Sequence, residues 1–403
     1  MPLYEGLAYN TDKTVVVLDI GRAYTKCGIA ADAAPRCIIP SVVVNPTTGK
    51  QSKLWSFSNT EELYDNLKDF LFKLYFRRLL VNPKDRPVVV VESLLCPTAF
   101  KETLAKVLYK HYEVSCVLFA PCHMLSLLTI GGNIGLAIDV GYEETVVIPV
   151  YEGIPVLKAW QALPLGGSAI HNRMQAQLLE HGTIKGDDGQ SKPVASNPEI
   201  LTEDVLEDIK VRCCFVTNTK RASLIQDVTV YGGDVNKLPA PPPGVDYPIG
   251  GSSLLHVSGK IREHSAEVLF EHDNDERSII TIILDSLIEC PVDTRKQLAE
   301  NVIIMGGTAM MPGFHHRLKT ELYEHLKLPK YQQEYGIKQF RFHQPPAKEN
   351  FTAWLGGSMI GALETLSSRS LSREAYLQSG KVPDWCVGVS NADLEIKSPT
   401  KKT

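Results

Sequence analysis

The chain is poor in the features that would place it in a membrane, on nucleic acid or around a structural metal. No stretch approaches the roughly 18 apolar residues that a bilayer-spanning helix needs, so direct membrane insertion is not expected. Basic residues are in no excess: 42 Lys and Arg stand against 46 Asp and Glu, a formal net charge of −4. Nucleic acids and anionic lipid surfaces are usually recognised through a basic face, so no nucleic-acid partner is expected. The nine cysteines include no Cys-x-x-Cys and no Cys/His ligand spacing. A zinc site is therefore not expected, and the thiols, the adjacent Cys213 and Cys214 among them, read as reduced and mostly buried. The opening residues Met1-Pro2-Leu3-Tyr4-Glu5-Gly6 lack the charged and then apolar segments of a secretion signal, which points to the cytoplasm. The composition is otherwise that of an ordinary globular protein, 44% hydrophobic and 22% charged. At 403 residues the chain exceeds what one hydrophobic core usually supports, so two domains are expected.

Two short segments far apart repeat one pattern. Val15-Val16-Val17-Leu18-Asp19-Ile20-Gly21 and Gly135-Leu136-Ala137-Ile138-Asp139-Val140-Gly141 each run an apolar strand into Asp-x-Gly, and a second strand-like run follows, Lys26 to Ala30 and Thr145 to Val150. Each is read as a hairpin. Glycine at the tip allows positive φ and lets backbone N–H groups turn inward around an anion, while Asp at the strand end can hold a hydrated divalent cation. A single Asp-x-Gly after a strand is an ordinary turn; the matched pair reads as two phosphate loops that clamp a nucleotide and its metal. A third glycine site, Gly306-Gly307-Thr308, follows a buried strand from Val302 to Met305 and precedes a helix expected from Pro312 to Leu326. There bare backbone would approach a ligand at a helix N-terminus.

Elsewhere strand-like and helical runs alternate, the pattern of an α/β protein. Ser58-Asn59-Thr60-Glu61 has capping-box spacing with Ser58 as N-cap, and Leu63, Leu67, Phe70, Leu71 and Leu74 follow at helical intervals to about Leu80. Val88 to Val91 and Val117 to Ala120 read as buried strands, with a helix from Ala99 to Tyr112 between them. Leu201 to Val216, Ile261 to His272 and Arg277 to Ile288 are helical by pattern, with Leu284, Leu287 and Ile288 read as core. Gly182 to Pro198 and Pro239-Ala240-Pro241-Pro242-Pro243-Gly244 read as surface loops, the second also having the composition of a ligand for an SH3-type module. His315 and His316 point about 100° apart on a helix, cannot share a metal, and read as surface residues.

Several of these stretches, taken together, resemble the actin-related protein family nearly end to end. They are Asp19-x-Gly21 with Lys26, Ala34-Pro35-Arg36 with Pro40-Ser41, Ile148-Pro149-Val150-Tyr151-Glu152-Gly153, Asp208-Ile209-Lys210, Val292-Asp293-Thr294-Arg295-Lys296, Gly306 through Gly313, and Trp354-Leu355-Gly356-Gly357-Ser358. The resemblance implies a duplicated α/β fold of the actin, hexokinase and Hsp70 ATPase type, with ATP or ADP and Mg²⁺ in a cleft between two halves. It implies nucleotide contacts at Asp19, Gly21, Arg22, Lys26, Gly141, Gly167, Lys210, Gly306, Gly307 and Thr308, with Asp19 and Asp139 holding Mg²⁺ through water. By the same resemblance, 1–129 and 352–403 form the first half, with a remnant of the small pointed-side subdomain at 41–58; 130–165 with 276–351 and 166–275, with an insertion near 182–198, form the two subdomains of the other. Within the family the wording resembles the branch at the pointed end of the dynactin filament. That branch implies a cytoplasmic, cytoskeletal capping subunit in dynein-driven microtubule transport, partnered by dynactin's actin-like filament subunits and other pointed-end subunits. A subunit of a nuclear chromatin-remodelling complex and an active ATPase of the same fold are the alternatives.

The departures from actin are equally informative. Arg22 and Ala23 stand where actin has a Ser and a Gly, and Asp139-Val140-Gly141-Tyr142-Glu143 stands where actin reads Asp-Ser-Gly-Asp-Gly, so a carboxylate faces the phosphate site. Like charges at such range repel, and Arg22 is the natural partner for Glu143; the other reading is that both side chains point to solvent. Counting without gaps puts Cys122 and Val146 where actin keeps the Gln and His that position its attacking water, and neither can do so. Val211, Met311 and Asn350 replace a ribose-binding Glu, an adenine-stacking Tyr and an adenine-edge Lys. Binding without turnover is expected. Only sixteen residues separate Ser41 from Ser58, enough for one hairpin and little core, whereas actin places there the subdomain whose loop grips a neighbouring subunit. Such a subunit can dock but cannot be docked upon, and the segment from Trp354 to Tyr376, which in the family helps form the accepting groove, keeps its resemblance to actin.

Overall fold

The computed structural model describes residues 14–384 apart from 45–48, 50, 187–189, 231, 235, 236, 252, 333–336 and 338. Two compact units are present. The first takes its described residues from Met1–Ala137, Val150–Val156 and His343–Thr403, the second from Ile138–Pro149 and Leu157–Phe342.

The first unit is built on a six-stranded sheet. β1 (Val16–Ile20) and β2 (Tyr24–Ile29) form an antiparallel hairpin with Asp19 opposite Lys26, and β3 (Cys37–Pro40) continues it as an edge strand beside β2. A small separate hairpin follows, β4 (Val42–Val44) with β5 (Gln51–Lys53). It is the one expected between Ser41 and Ser58; most of its tip, 45–48 and 50, lies outside the described residues. β6 (Val88–Glu92) and β7 (Cys116–Pro121) add in parallel on the other side of β1, and Leu371–Ser372 pairs with β7. Parallel strands covered on both faces read as unbroken apolar runs, and Val88, Val89, Val90 and Val91 are all buried.

Alternation sends Val16, Leu18, Val88 and Val90 to one face, where the helix Thr60–Phe72 brings Leu63, Leu67, Phe70 and Leu71, and Val43 and Leu54 join the same core. The N-cap of that helix is Asn59 and not Ser58. The Asn59 Oδ1 accepts from the Glu61 and Glu62 N–H groups at 3.0 and 2.8 Å, and the Glu62 carboxylate, not that of Glu61, takes the Ser58 N–H at 2.8 Å. Either residue type can cap; the register of the buried leucines decides. The helix passes at Lys73 into a π-helical turn, Lys73–Leu79, whose wider winding keeps Leu74, Tyr75 and Leu79 buried. Thr98–Lys106 likewise passes into π-helical Val107–His111.

The opposite face carries Val17, Val89 and Val91 and receives the helix Thr352–Gly361. Trp354 is fully buried there and donates its indole N–H to the Val17 carbonyl at 3.2 Å. A Cβ on Gly356 would stand 2.0 Å from the Leu125 carbonyl oxygen, and one on Gly357 3.0 Å from a Val17 methyl. The Trp-Leu-Gly-Gly-Ser motif is therefore a packing device: bare backbone lets this helix lie against the sheet and against the helix Cys122–Thr129.

β8 (Gly135–Val140) and β9 (Thr145–Tyr151) form the other hairpin, whose residues Ile138–Pro149 belong to the second unit, with Val302–Met305 beside β8 and Gln161–Leu163 paired to β9. The helix Ile279–Glu289 buries Leu284 and Leu287 as expected. Gly182 to Pro198 is not a loop. Thr183–Lys185 and Ser191–Pro193 pair with each other and, through Thr183–Lys185, with Leu254–Val257, in a four-stranded antiparallel sheet that Val245–Pro248 completes. Pairing through backbone at a sheet edge needs no apolar face, which is why the polar composition hid it; the adjacent Val194 is fully buried. Pro239 to Gly244 is the loop it reads as, its carbonyls taken by Arg221 and Arg262. The helices expected at 201–216, 261–272 and 312–326 are shorter, Glu203–Cys213, Gly259–His264 and Phe314–His325. Among the described residues no helix is long and apolar enough to cross a membrane, and Cys27, Cys37, Cys96, Cys116, Cys122, Cys213, Cys214 and Cys290 are free thiols.

Candidate functional site

The two Asp-x-Gly turns close in the same way. The Gly21 N–H donates to the Tyr24 carbonyl at 3.2 Å and the Gly141 N–H to the Glu144 carbonyl at 2.9 Å. Neither glycine has positive φ, contrary to expectation. What glycine supplies is room: a Cβ on Gly21 would stand 2.7 Å from the Tyr24 carbonyl oxygen, and one on Gly141 3.1 Å from that of Glu144.

In the first unit, cross-strand register places Lys26 Nζ 3.1 Å from Asp19 Oδ2, both side chains largely sheltered. The Gly21 carbonyl accepts from Ser41 Oγ at 2.7 Å and from the Trp55 indole N–H at 3.0 Å, and Ser41 Oγ lies 2.8 Å from Thr25 Oγ1. The Trp55 ring is stacked on Phe100, centroids 3.6 Å apart, and the Arg22 guanidinium lies 4.2 Å over the same indole. Arg22 is thus positioned by a cation–π contact on an aromatic stack. Sequence reasoning missed Trp55. Its signal was there, since an indole beside the buried Leu54 needs an acceptor for its N–H.

In the second unit, glycine at 306 is required twice over. Its φ is +98°, and a Cβ would lie 2.2 Å from the Val140 carbonyl oxygen and 2.7 Å from an Asp139 carboxylate oxygen. The Gly141 carbonyl accepts from Thr308 Oγ1 at 2.6 Å and from the Gly167 N–H, the first of the helix Gly167–His181, at 3.1 Å. Gly167 also gives space: a Cβ there would meet the Tyr142 ring at 3.1 Å and both Lys210 Nζ and Thr308 Oγ1 at 3.2 Å. Lys210 is buried with its Nζ 2.6 Å from Glu207 Oε2, and His171 Nε2 is 3.0 Å from the same oxygen. The Tyr142 hydroxyl donates to the Glu203 carboxylate and lies 3.4 Å from His171 Nδ1. Burial alone would raise the Glu207 carboxyl; the hydrogen bond with His171 and the Lys210 charge outweigh it and hold the group at about 2. The Tyr142 phenol is pushed up, by burial first and then by its bond to Glu203.

The structure therefore assembles Asp19, Gly21, Arg22 and Lys26 in the first unit, and Asp139, Gly141, Gly167, Lys210, Gly306 and Thr308 in the second. Gly307 is exposed and opens the short turn Thr308–Met310. Because the following helix begins only at Phe314, Gly306-Gly307-Thr308 does not lie at its N-terminus as expected. Arg22 and Glu143 belong to different units. Cys122 and Val146 are buried, Met311 is buried and Val211 is exposed. The i,i+3 spacing of Glu207 and Lys210 on the helix Glu203–Cys213 was a local signal; Tyr142 partnering Glu203 and His171 partnering Glu207 could not be read from local spacing, because Tyr142 lies in a turn and His171 on the separate helix Gly167–His181.

An actin family model matches residues 10–386. Actin-related protein 10 of Dictyostelium discoideum is 28% identical over 438 aligned positions, which cover 93% of this chain and 89% of that protein. The duplicated Asp-x-Gly hairpins on mixed α/β sheets and a match over nearly the whole length lead to one conclusion: the chain belongs to the actin family.

Proposed function

We propose that this chain is a structural, actin-related subunit that binds ATP or ADP with Mg²⁺ without turning it over, and that it occupies the pointed end of the dynactin filament in the cytoplasm. Its residues fit a nucleotide. Both hairpin turns close on glycine, Asp19 and Asp139 end their strands, and the backbone of Gly306 approaches Asp139 so closely that no side chain fits. Asp19, Lys26 and Asp139 would hold the phosphates and metal, with Gly21, Arg22, Gly141, Gly167, Lys210, Gly306, Gly307 and Thr308 around them. Bound Mg²⁺ supplies neutralisation of phosphate charge. With Cys122 and Val146 buried at the places of actin's water-positioning residues, the chain has no side chain there to orient a nucleophile.

The observation that carries the capping role is the segment between Ser41 and Ser58. It is two three-residue strands, and Val43 of the first and Leu54, just after the second, are drawn into the first core, with too few residues for a projecting subdomain. Stable association takes roughly 1,200 Å² or more of buried surface anchored at its centre, so a subunit lacking the docking loop ends a filament. The relative's name supports an actin-related branch, and the family resemblance supports partners among actin-like filament subunits and other pointed-end subunits.

The test is nucleotide extraction and phosphate release from purified protein, with sedimentation alongside. Stoichiometric ATP or ADP, release at the buffer background and no pelleting are expected, with nucleotide lost in Asp139→Ala. Steady-state phosphate release that disappears in Asp139→Ala, or self-assembly into filaments, would contradict the reading.

A further inference from the structure

We infer that Cys27 and Cys37 form a peroxide-sensitive dithiol, a modification site that closes to a disulfide across the two outermost strands of the first sheet. The two residues are directly opposite in the antiparallel β2–β3 pair, with their Sγ atoms 3.0 Å apart. Opposite residues in such a pair have Cα atoms about 4.5 or about 5.5 Å apart. Both values lie inside the roughly 4.4–6.8 Å that a disulfide spans, so bond formation needs side-chain rotation and no backbone rearrangement.

The pair is asymmetric in the way an attacking and a resolving thiol are. Cys27 is fully buried, whereas Cys37 is partly exposed on edge strand β3. The two sulfurs share a hydrogen bond, which lowers the Cys37 thiol against the effect of burial and with help from the Arg78 charge. Cys27 is pushed up by the same hydrogen bond and by burial. By contrast, burial pushes Cys214 and Cys290 up to about 12. The thiolate is the nucleophile, so at neutral pH Cys37 is the reactive member.

The oxidant is hydrogen peroxide. The Cys37 thiolate attacks one peroxide oxygen, the O–O bond breaks, and hydroxide leaves, giving a sulfenic acid at Cys37. The Cys27 sulfur then displaces that hydroxyl; the S–S bond forms, the S–O bond breaks, and water leaves with the Cys27 proton. The hydroxide from the first step takes up the proton that Cys37 released on ionising, so two thiols have lost two electrons and one hydrogen peroxide has become two waters. Lys26 immediately precedes Cys27 on β2, so the bridge ties the strand that carries Lys26 to the sheet edge.

Trypsin cleaves after Lys26 and after Arg36, which puts the two cysteines on different peptides. The full chain is treated with stoichiometric hydrogen peroxide, alkylated, digested and analysed by mass spectrometry. The expected result is a cross-linked peptide pair containing Cys27 and Cys37 that dithiothreitol splits, formed before Cys96 or Cys116 is oxidised. In Cys27→Ala a sulfenic acid should persist at Cys37 and be trapped by dimedone; in Arg78→Gln the alkylation of Cys37 at pH 7 should slow severalfold. Oxidation of Cys96 or Cys116 with no cross-link in the wild-type chain, or Cys37 passing to sulfinic acid while Cys27 stays a free thiol, would overturn the proposal.

Discussion

At the β1–β2 turn the glycine carbonyl is held by two side chains, Ser41 and Trp55, whereas at the β8–β9 turn it is held by Thr308 and by the first N–H of a helix. The closure itself, a glycine N–H donating three residues on, is the same in both. The cations differ too. Lys26 is paired with the Asp19 of its own hairpin, while Lys210 is held by Glu207 within a buried network that includes His171. The turn geometry is local and has been kept in both copies. The groups that lock it, Ser41 and Trp55 in one copy and Thr308 and the Gly167 N–H in the other, come from outside each hairpin, and there the copies have diverged.

Substitutions can break this comparison at either hairpin. Gly306→Ala should have the largest effect, about 4 kcal/mol or failure to fold, because a Cβ would strike the Val140 carbonyl at a φ of +98°. Gly21→Ala, without positive φ, should lose about 1–2 kcal/mol as its turn yields. Urea unfolding of both variants measures the difference, and equal losses would show that the two glycines serve alike. Trp55→Ala should lose about 3 kcal/mol by emptying the stack with Phe100 and Arg22. Trp55→Phe, which keeps a ring but not the donor to Gly21, should lose about 1 kcal/mol.

Acid sharpens the contrast on the other side. Glu207 is held at about 2, below its ordinary 4.5. Its contribution to stability is therefore fully present above about pH 4.5 and is lost as the pH falls toward 2. Thermal melts in that window should flatten in Glu207→Gln, which would also be less stable at pH 7 by about 2 kcal/mol because Lys210 loses its partner. An unchanged acid limb would mean that the network does not govern it.

Much of the fold was legible because its strands are short, β-branched and buried. The Val88 to Val91 run, the Val302–Met305 strand and both hairpins stand where hydrophobic patterning puts them. Errors arose where two local solutions have similar chemistry, as with Ser58 and Asn59 as caps, or where pairing is carried by backbone, as in the strands at 183–185 and 191–193. At the site, the Asp-x-Gly turns were visible as a repeated motif. Trp55, Glu203 and Glu207 were not, because their importance lies in what they reach across the fold: the Gly21 carbonyl, Tyr142 and His171.

The shortened segment between Ser41 and Ser58 makes the central claim open to a direct test. Cryo-electron microscopy of the native assembly should show this subunit once per filament, at the pointed end, with β4–β5 facing away from the neighbouring filament subunit. Finding it at internal filament positions, or at the barbed end, would contradict the account.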